Sequence, residues 1–97
     1  YQRWLGDNAW MLIALNNYQD LTGSNTYDVL IQEMENWITN LQDVDGGLWG
    51  GFDVSGDRIH KITEGQLDAF CAVRGYSLFH KGADAFDPLH PSIYCPQ

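Results

Sequence analysis

Basic residues are scarce. Five Lys and Arg stand against thirteen Asp and Glu, a formal net charge of −8 over 97 residues. Phosphate binding needs clustered cations, so no nucleic-acid partner is expected. No basic amphipathic stretch points to a membrane surface. Long apolar runs are also missing. The longest, AWMLIAL at residues 9–15, falls well short of the ~20 residues that cross a bilayer. Only two cysteines occur, Cys71 and Cys95, too few for a disulfide framework. Cys71 lies in an apolar helical stretch and reads as an inert core residue. Proline is confined to Pro88, Pro91 and Pro96, so the segment 82–97 reads as an irregular tail. Neither an initiator Met nor a secretory leader is visible, and the chain reads as a piece of a longer or processed product.

What is present suits one small globular domain. Hydrophobic residues make up 44%, so disorder is not expected. Aromatics reach 13%, which leaves two readings open: a large core, or stacking surfaces for a flat ligand.

Periodicity predicts three helices. The first spans about 7–21, is apolar on most sides, and stops at Gly23. The second spans about 26–41. Its apolar stripe is Tyr27, Leu30, Ile31, Met34, Trp37, Ile38 and Leu41, with Asn25 as N-cap and Asp28 in the first turn. The third spans about 64–80, with Thr63 and Gln66 as a capping box. Two helices apolar nearly all round need more neighbours than three helices supply. Self-association, or further elements outside this segment, is therefore expected. One register relates Gly6 to Gly65, Gly23 to Gly82, Asp28 to Asp87 and Leu30 to Leu89, with Tyr27 opposite Phe86. It reads as about one and a half copies of a helical-hairpin repeat.

The stretch QDVDGGLWGGFD, residues 42–53, joins the second and third helices. An EF-hand needs Gly sixth and Glu twelfth; counted from Asp43 those positions are Leu48 and Val54, and the pattern fails. The glycines lack a following Lys-Ser/Thr, so no phosphate loop is present. His60, His80 and His90 show no zinc spacing and read as surface residues. No metal and no cofactor are expected. The simplest reading of the stretch is a tight turn.

Several motifs together resemble the six-hairpin glycosidase-like, or (α/α)6 toroid, superfamily. They are GDNAW at residue 6, a Thr-Gly turn at 22–23, a Trp and Leu-Gln near the end of the second helix, the Asp-Gly-Gly loop, and TEGQLDAF at 63–70. The resemblance covers residues 6 to about 76. It implies an all-α fold of antiparallel helical hairpins, a partial (α/α) toroid, from a parent enzyme that cleaves carbohydrates. TEGQLDAF looks like the motif of glycoside hydrolase family 8, which makes Glu64 the general acid. The toroid would set Asp7 beside it, since adjacent inner helices begin on one rim. The Gly-Gly loop also resembles terpenoid cyclases and prenyltransferases, a reading ranked last.

Glycoside cleavage requires two carboxylates about the scissile bond. Asp7 and Glu64 are the candidate catalytic pair. Asp68 projects from the same side as Glu64, four residues on, and is a candidate substrate contact with Trp10 and Trp49. Structural readings stand beside these. Asp7 suits an N-cap, Glu64 a helix dipole, Asp68 a hydrogen bond to a neighbouring helix, and Trp10 the core. A carbohydrate is the expected partner. A non-catalytic helical-hairpin binding or scaffold module is the alternative.

Overall fold

The computed structural model describes residues 2–81, apart from the side chains of Phe79 and Lys81. The predicted tail 82–97, Cys95 and its pairing with Cys71, His90, and the repeat partners Gly82, Phe86, Asp87 and Leu89 lie outside the described residues. The chain runs β1 (Arg3–Trp4), α1 (Leu5–Thr22), α2 (Asp28–Thr39), β2 (Gly51–Phe52), β3 (Arg58–Ile59) and α3 (Thr63–Tyr76), with a π-helical turn at Ser77–Lys81. The three strands form an antiparallel sheet in the order β1-β2-β3. The fold is thus an α+β mixture, which corrects the all-α expectation and the partial toroid with it.

The three helices lie close to where periodicity sets them. Apolar residues at spacings of three and four bury one stripe of each. Leu5, Ala9 and Leu12 of α1 meet Ile31 and Ile38 of α2 and Ala69, Ala72 and Val73 of α3 in one core. α1 packs most extensively along α3, with the two N-termini together. Gly6 and Gly65 permit that approach. A Cβ on Gly65 would meet Leu5 and Gly6 at ordinary contact distance, while one on Gly6 would lie 3.3 Å from Asp68 Oδ2.

The helix ends differ from the expected caps. α1 begins at Leu5, whose N–H donates to Gly50 O at 2.9 Å, so Asp7 sits inside the first turn rather than capping it. α2 begins at Asp28 without Asn25 as a side-chain cap. Gln19 of α1, 1% exposed, reaches across instead. Its Oε1 accepts from Tyr27 N at 2.7 Å and its Nε2 donates to Asp28 Oδ1 at 2.8 Å. α3 includes Thr63 as its first residue, and no capping box forms. Gly23 ends α1 in the left-handed conformation, its N–H on Gln19 O.

Neither α1 nor α3 is buried on most sides. Trp10, Met11, Tyr18 and Leu21 of α1 and Leu67 of α3 are exposed. Cys71 is exposed too, a correction to its expected place in the core. With three helices and a small sheet, α1 and α3 each have a flank that nothing else in the described residues covers.

Residues 41–62 carry the part of the fold that periodicity misses. DVDGG at 43–47 and DVSGD at 53–57 form the same turn twice. In each, the first Asp N–H bonds to the carbonyl of the fifth residue, and the glycine N–H bonds back to the first Asp carbonyl. Gly46 and Gly56 take φ of 90° and 85°, which suits glycine. The first turn closes a bridge between Gln42 and Leu48; the second closes β2 on β3. Gly50 and Gly51 are where β1, β2 and β3 press together. A Cβ on Gly51 would stand 1.9 Å from Arg3 O, and one on Gly50 2.5 Å from His60 O. Side chains there would block the sheet. Phe52 then packs edge-on against Trp37 of α2 at 6.1 Å.

Candidate functional site

The N-terminal ends of α1 and α3 enclose a pocket of about 420 Å³. Its lining includes Asp7 and Trp10 from α1 and Glu64 and Asp68 from α3, floored by Gly6, Gly65 and Gly50. Four of the five residues singled out from sequence thus meet in one place. Asp7 and Glu64 are exposed and Asp68 is half-buried. None of the three carboxylates makes a hydrogen bond or ion pair among the described residues. Asp68 is therefore not spent on the hydrogen bond to a neighbouring helix that its architectural reading gives it, while Glu64 keeps the first-turn position that suits the helix dipole. Trp10 is 60% exposed and offers a ring at the pocket edge rather than core packing.

Both helices direct their first-turn N–H groups toward this end of the molecule. The partial positive charge there favours anionic side chains, and Asp7 and Glu64 occupy the two first turns. Their oxygens are left to accept hydrogen bonds from a ligand. Among the described residues, no group of three or more His, Cys, Asp or Glu is placed to hold a metal ion. No helix among them is long and apolar enough to cross a membrane.

Trp49 is elsewhere. It does not line the pocket, and it packs half-buried against the core. Its ring carries two cations: Lys61 Nζ at 4.8 Å and Arg58 Cζ at 5.5 Å from the centroid. Lys61 is held in turn by Asp43 at 2.7 Å and Asp45 at 2.9 Å. Those hydrogen bonds to Lys61 hold both carboxyls below the usual aspartate range and raise the Lys61 ammonium above its own. The acids of the Gly-Gly loop are thus engaged in organising it. Asp53 does likewise, its Oδ1 accepting from Ser55 N and Asp57 N.

No protein-family model matches the chain, and neither a curated protein nor a solved structure is significantly similar to it.

A second, smaller pocket of about 280 Å³ lies at the other end of the α1–α3 seam. Sequence reasoning passed over it. Asn16, Asn17 and Asp20 of α1 line it with Gly75 and Leu78. Asn16 is 5% exposed. Its Oδ1 lies 3.1 Å from His80 Nε2, but its Nδ2 has no hydrogen-bond partner among the described residues. An unsatisfied buried donor costs about 1–3 kcal/mol. The signal in the sequence was a polar Asn within the buried stripe of α1, two turns on from Ala9.

Proposed function

We propose that the pocket between the N-termini of α1 and α3 is a carbohydrate-cleaving site that works by carboxylate acid/base catalysis. The observation that carries this reading is the convergence of Asp7, Glu64 and Asp68, none of them hydrogen-bonded or ion-paired among the described residues, on one pocket edged by the exposed ring of Trp10. Glu64 acts as the general acid: its carboxyl proton passes to the glycosidic oxygen as the carbon–oxygen bond breaks. Asp7, on the facing helix, serves the opposite side of the sugar, where water or the carboxylate itself meets the anomeric carbon. Asp68 accepts hydrogen bonds from ring hydroxyls, and Trp10 stacks on the sugar face. The resemblance of TEGQLDAF to glycosidase motifs supports the assignment of Glu64.

Glu64→Gln tests it. The amide cannot give up a proton as a carboxylic acid does, so hydrolysis of a soluble polysaccharide should fall by roughly a hundredfold or more. Unchanged cleavage would remove Glu64 from the chemistry. One observation favours a non-catalytic binding module: Trp49 packs inward under two cations, as an architectural residue would. A module of that kind would make protein contacts and carry no chemistry.

A further inference from the structure

Asp45 and Gly46 form the one Asp-Gly pair of the chain, which has no Asn-Gly pair. An aspartic acid before glycine can react with its own backbone. The Gly46 nitrogen attacks Asp45 Cγ, an N–Cγ bond forms and a Cγ–O bond breaks. Water leaves, made of the carboxyl OH and the amide proton. The five-membered succinimide then takes up water at either carbonyl. One opening restores Asp45; the other leaves it joined to Gly46 through its side chain, as isoaspartate. No oxidant and no cofactor enter the balance. Glycine favours the reaction because it has no side chain to crowd the ring.

The fold opposes each requirement of ring closure. Asp45 Oδ1 accepts from Gly47 N at 2.8 Å, and both carboxylate oxygens lie 2.9 Å from Lys61 Nζ. Turning Cγ onto the Gly46 nitrogen breaks those bonds. The OH that must leave exists only in the acid form. Hydrogen bonds from Lys61 first and Gly47 second keep Asp45 ionised, below the usual aspartate range. The Gly46 N–H is itself donated to Asp43 O at 3.0 Å. Lys61 is kept over the turn by a second carboxylate, Asp43, and by the Trp49 ring. Water still reaches the site, since the Asp45 side chain is 64% exposed.

We infer that Asp45–Gly46 is the site at which this chain rearranges to isoaspartate, and that Lys61 is what holds the rearrangement back. The second turn of the same form supplies the contrast. DVSGD carries Ser55 where DVDGG carries Asp45, and a serine cannot close the ring. The rearrangement adds one carbon to the backbone of a turn closed by Asp43 N on Gly47 O at 2.7 Å. The residue that follows the turn is the fully buried Leu48. Modification at Asp45 therefore lengthens the connection that feeds Leu48 into the core.

The test incubates the purified protein at neutral pH and labels it with an isoaspartyl methyltransferase, peptide mapping locating the label. Isoaspartate should collect at residue 45. Lys61→Met should form it roughly three- to fivefold faster. Lys61→Arg keeps the cation and should stay near the parent. In concentrated urea the parent and Lys61→Met should converge, because the pairing needs the fold. Asp45→Ser copies Ser55 and should remove the label from this turn. Absence of label at residue 45 even in urea, or undiminished labelling of Asp45→Ser, overturns the site. Equal rates for the folded parent and Lys61→Met overturn the part given to Lys61. So does a Lys61→Arg rate as high as that of Lys61→Met, since loosening of the loop would then be the cause.

Discussion

The side chain of Gln66 holds the backbone of Leu48 at both ends: its Oε1 accepts from Leu48 N at 2.8 Å, and its Nε2 donates to Leu48 O. A carboxamide thereby takes the place of a neighbouring strand. It ties α3 to the loop that carries both Gly-Gly pairs, and Leu48 itself is fully buried. Gln66→Ala would leave two backbone groups without these partners and should cost about 2–4 kcal/mol. Gln66→Glu keeps an acceptor but loses the donor when ionised, and should destabilise as well. Urea unfolding of both variants measures this, and a Gln66→Ala midpoint equal to the parent's would show that the clamp is idle.

Gly51 should tolerate no side chain. Its φ of 127° and the 1.9 Å approach of Arg3 O to a would-be Cβ leave no cheap adjustment, because the obstructing atom is backbone. Gly51→Ala should lose roughly 2–4 kcal/mol, whereas Gly75→Ala, with open space around it, should be neutral or stabilising. Thermal unfolding compares the two directly. Equal effects would mean that β1 does not pack against β2 as described.

Lys61, Asp43 and Asp45 set a pH dependence of known sign. The two carboxyls titrate below their ordinary range because Lys61 bonds to them, so their contribution is complete above the ordinary aspartate value of about 4. It is lost as pH falls through the depressed folded values. Lys61 titrates above its ordinary range because it donates hydrogen bonds to Asp43 first and Asp45 second. Its contribution is complete below about pH 10 and is lost as pH rises through the elevated folded value. Lys61→Met should therefore destabilise at neutral pH, and the gap to the parent should close in acid. All three groups are well solvated, so the effect is small. A gap that stays constant down to pH 2 would contradict the pairing.

The chain should self-associate. Trp10 is 60% and Leu67 64% exposed, and Leu21 of α1 and Leu78 of the π-helical turn after α3 are exposed too. The net charge of −8 opposes contact between copies, so salt should promote it. Light scattering at low and high salt measures this. A monomer at high concentration in both would contradict it, and Leu21→Ser with Leu67→Ser should shift any oligomer toward monomer.

Helices were legible because their apolar spacing is long and regular, as at Ile31, Met34 and Ile38 of α2, although Tyr27 and Leu30 at the start of that stripe are exposed. Their caps were not, because Gln19 and Gly50 supply them from distant positions. The sheet was invisible to alternation: each strand is two residues long, and one begins with a glycine. Its signal was instead the repeated turn, DVDGG then DVSGD, each a short glycine-containing link of hairpin length. The grouping of Asp7, Glu64, Asp68 and Trp10 followed from the matching starts of α1 and α3. Trp49 did not join them, since nothing local in LWGG tells whether its ring turns outward or folds under Lys61 and Arg58.

The central claim is that free carboxylates at the joined N-termini of α1 and α3 cleave a glycosidic bond. Reducing-sugar release from a soluble polysaccharide, compared between the parent and Glu64→Gln with saccharide binding checked alongside, tests it most directly. Cleavage by the parent, a loss of about a hundredfold or more in Glu64→Gln, and binding retained in both are expected. Equal cleavage by the two proteins, or binding by the parent with no cleavage at all, would contradict it.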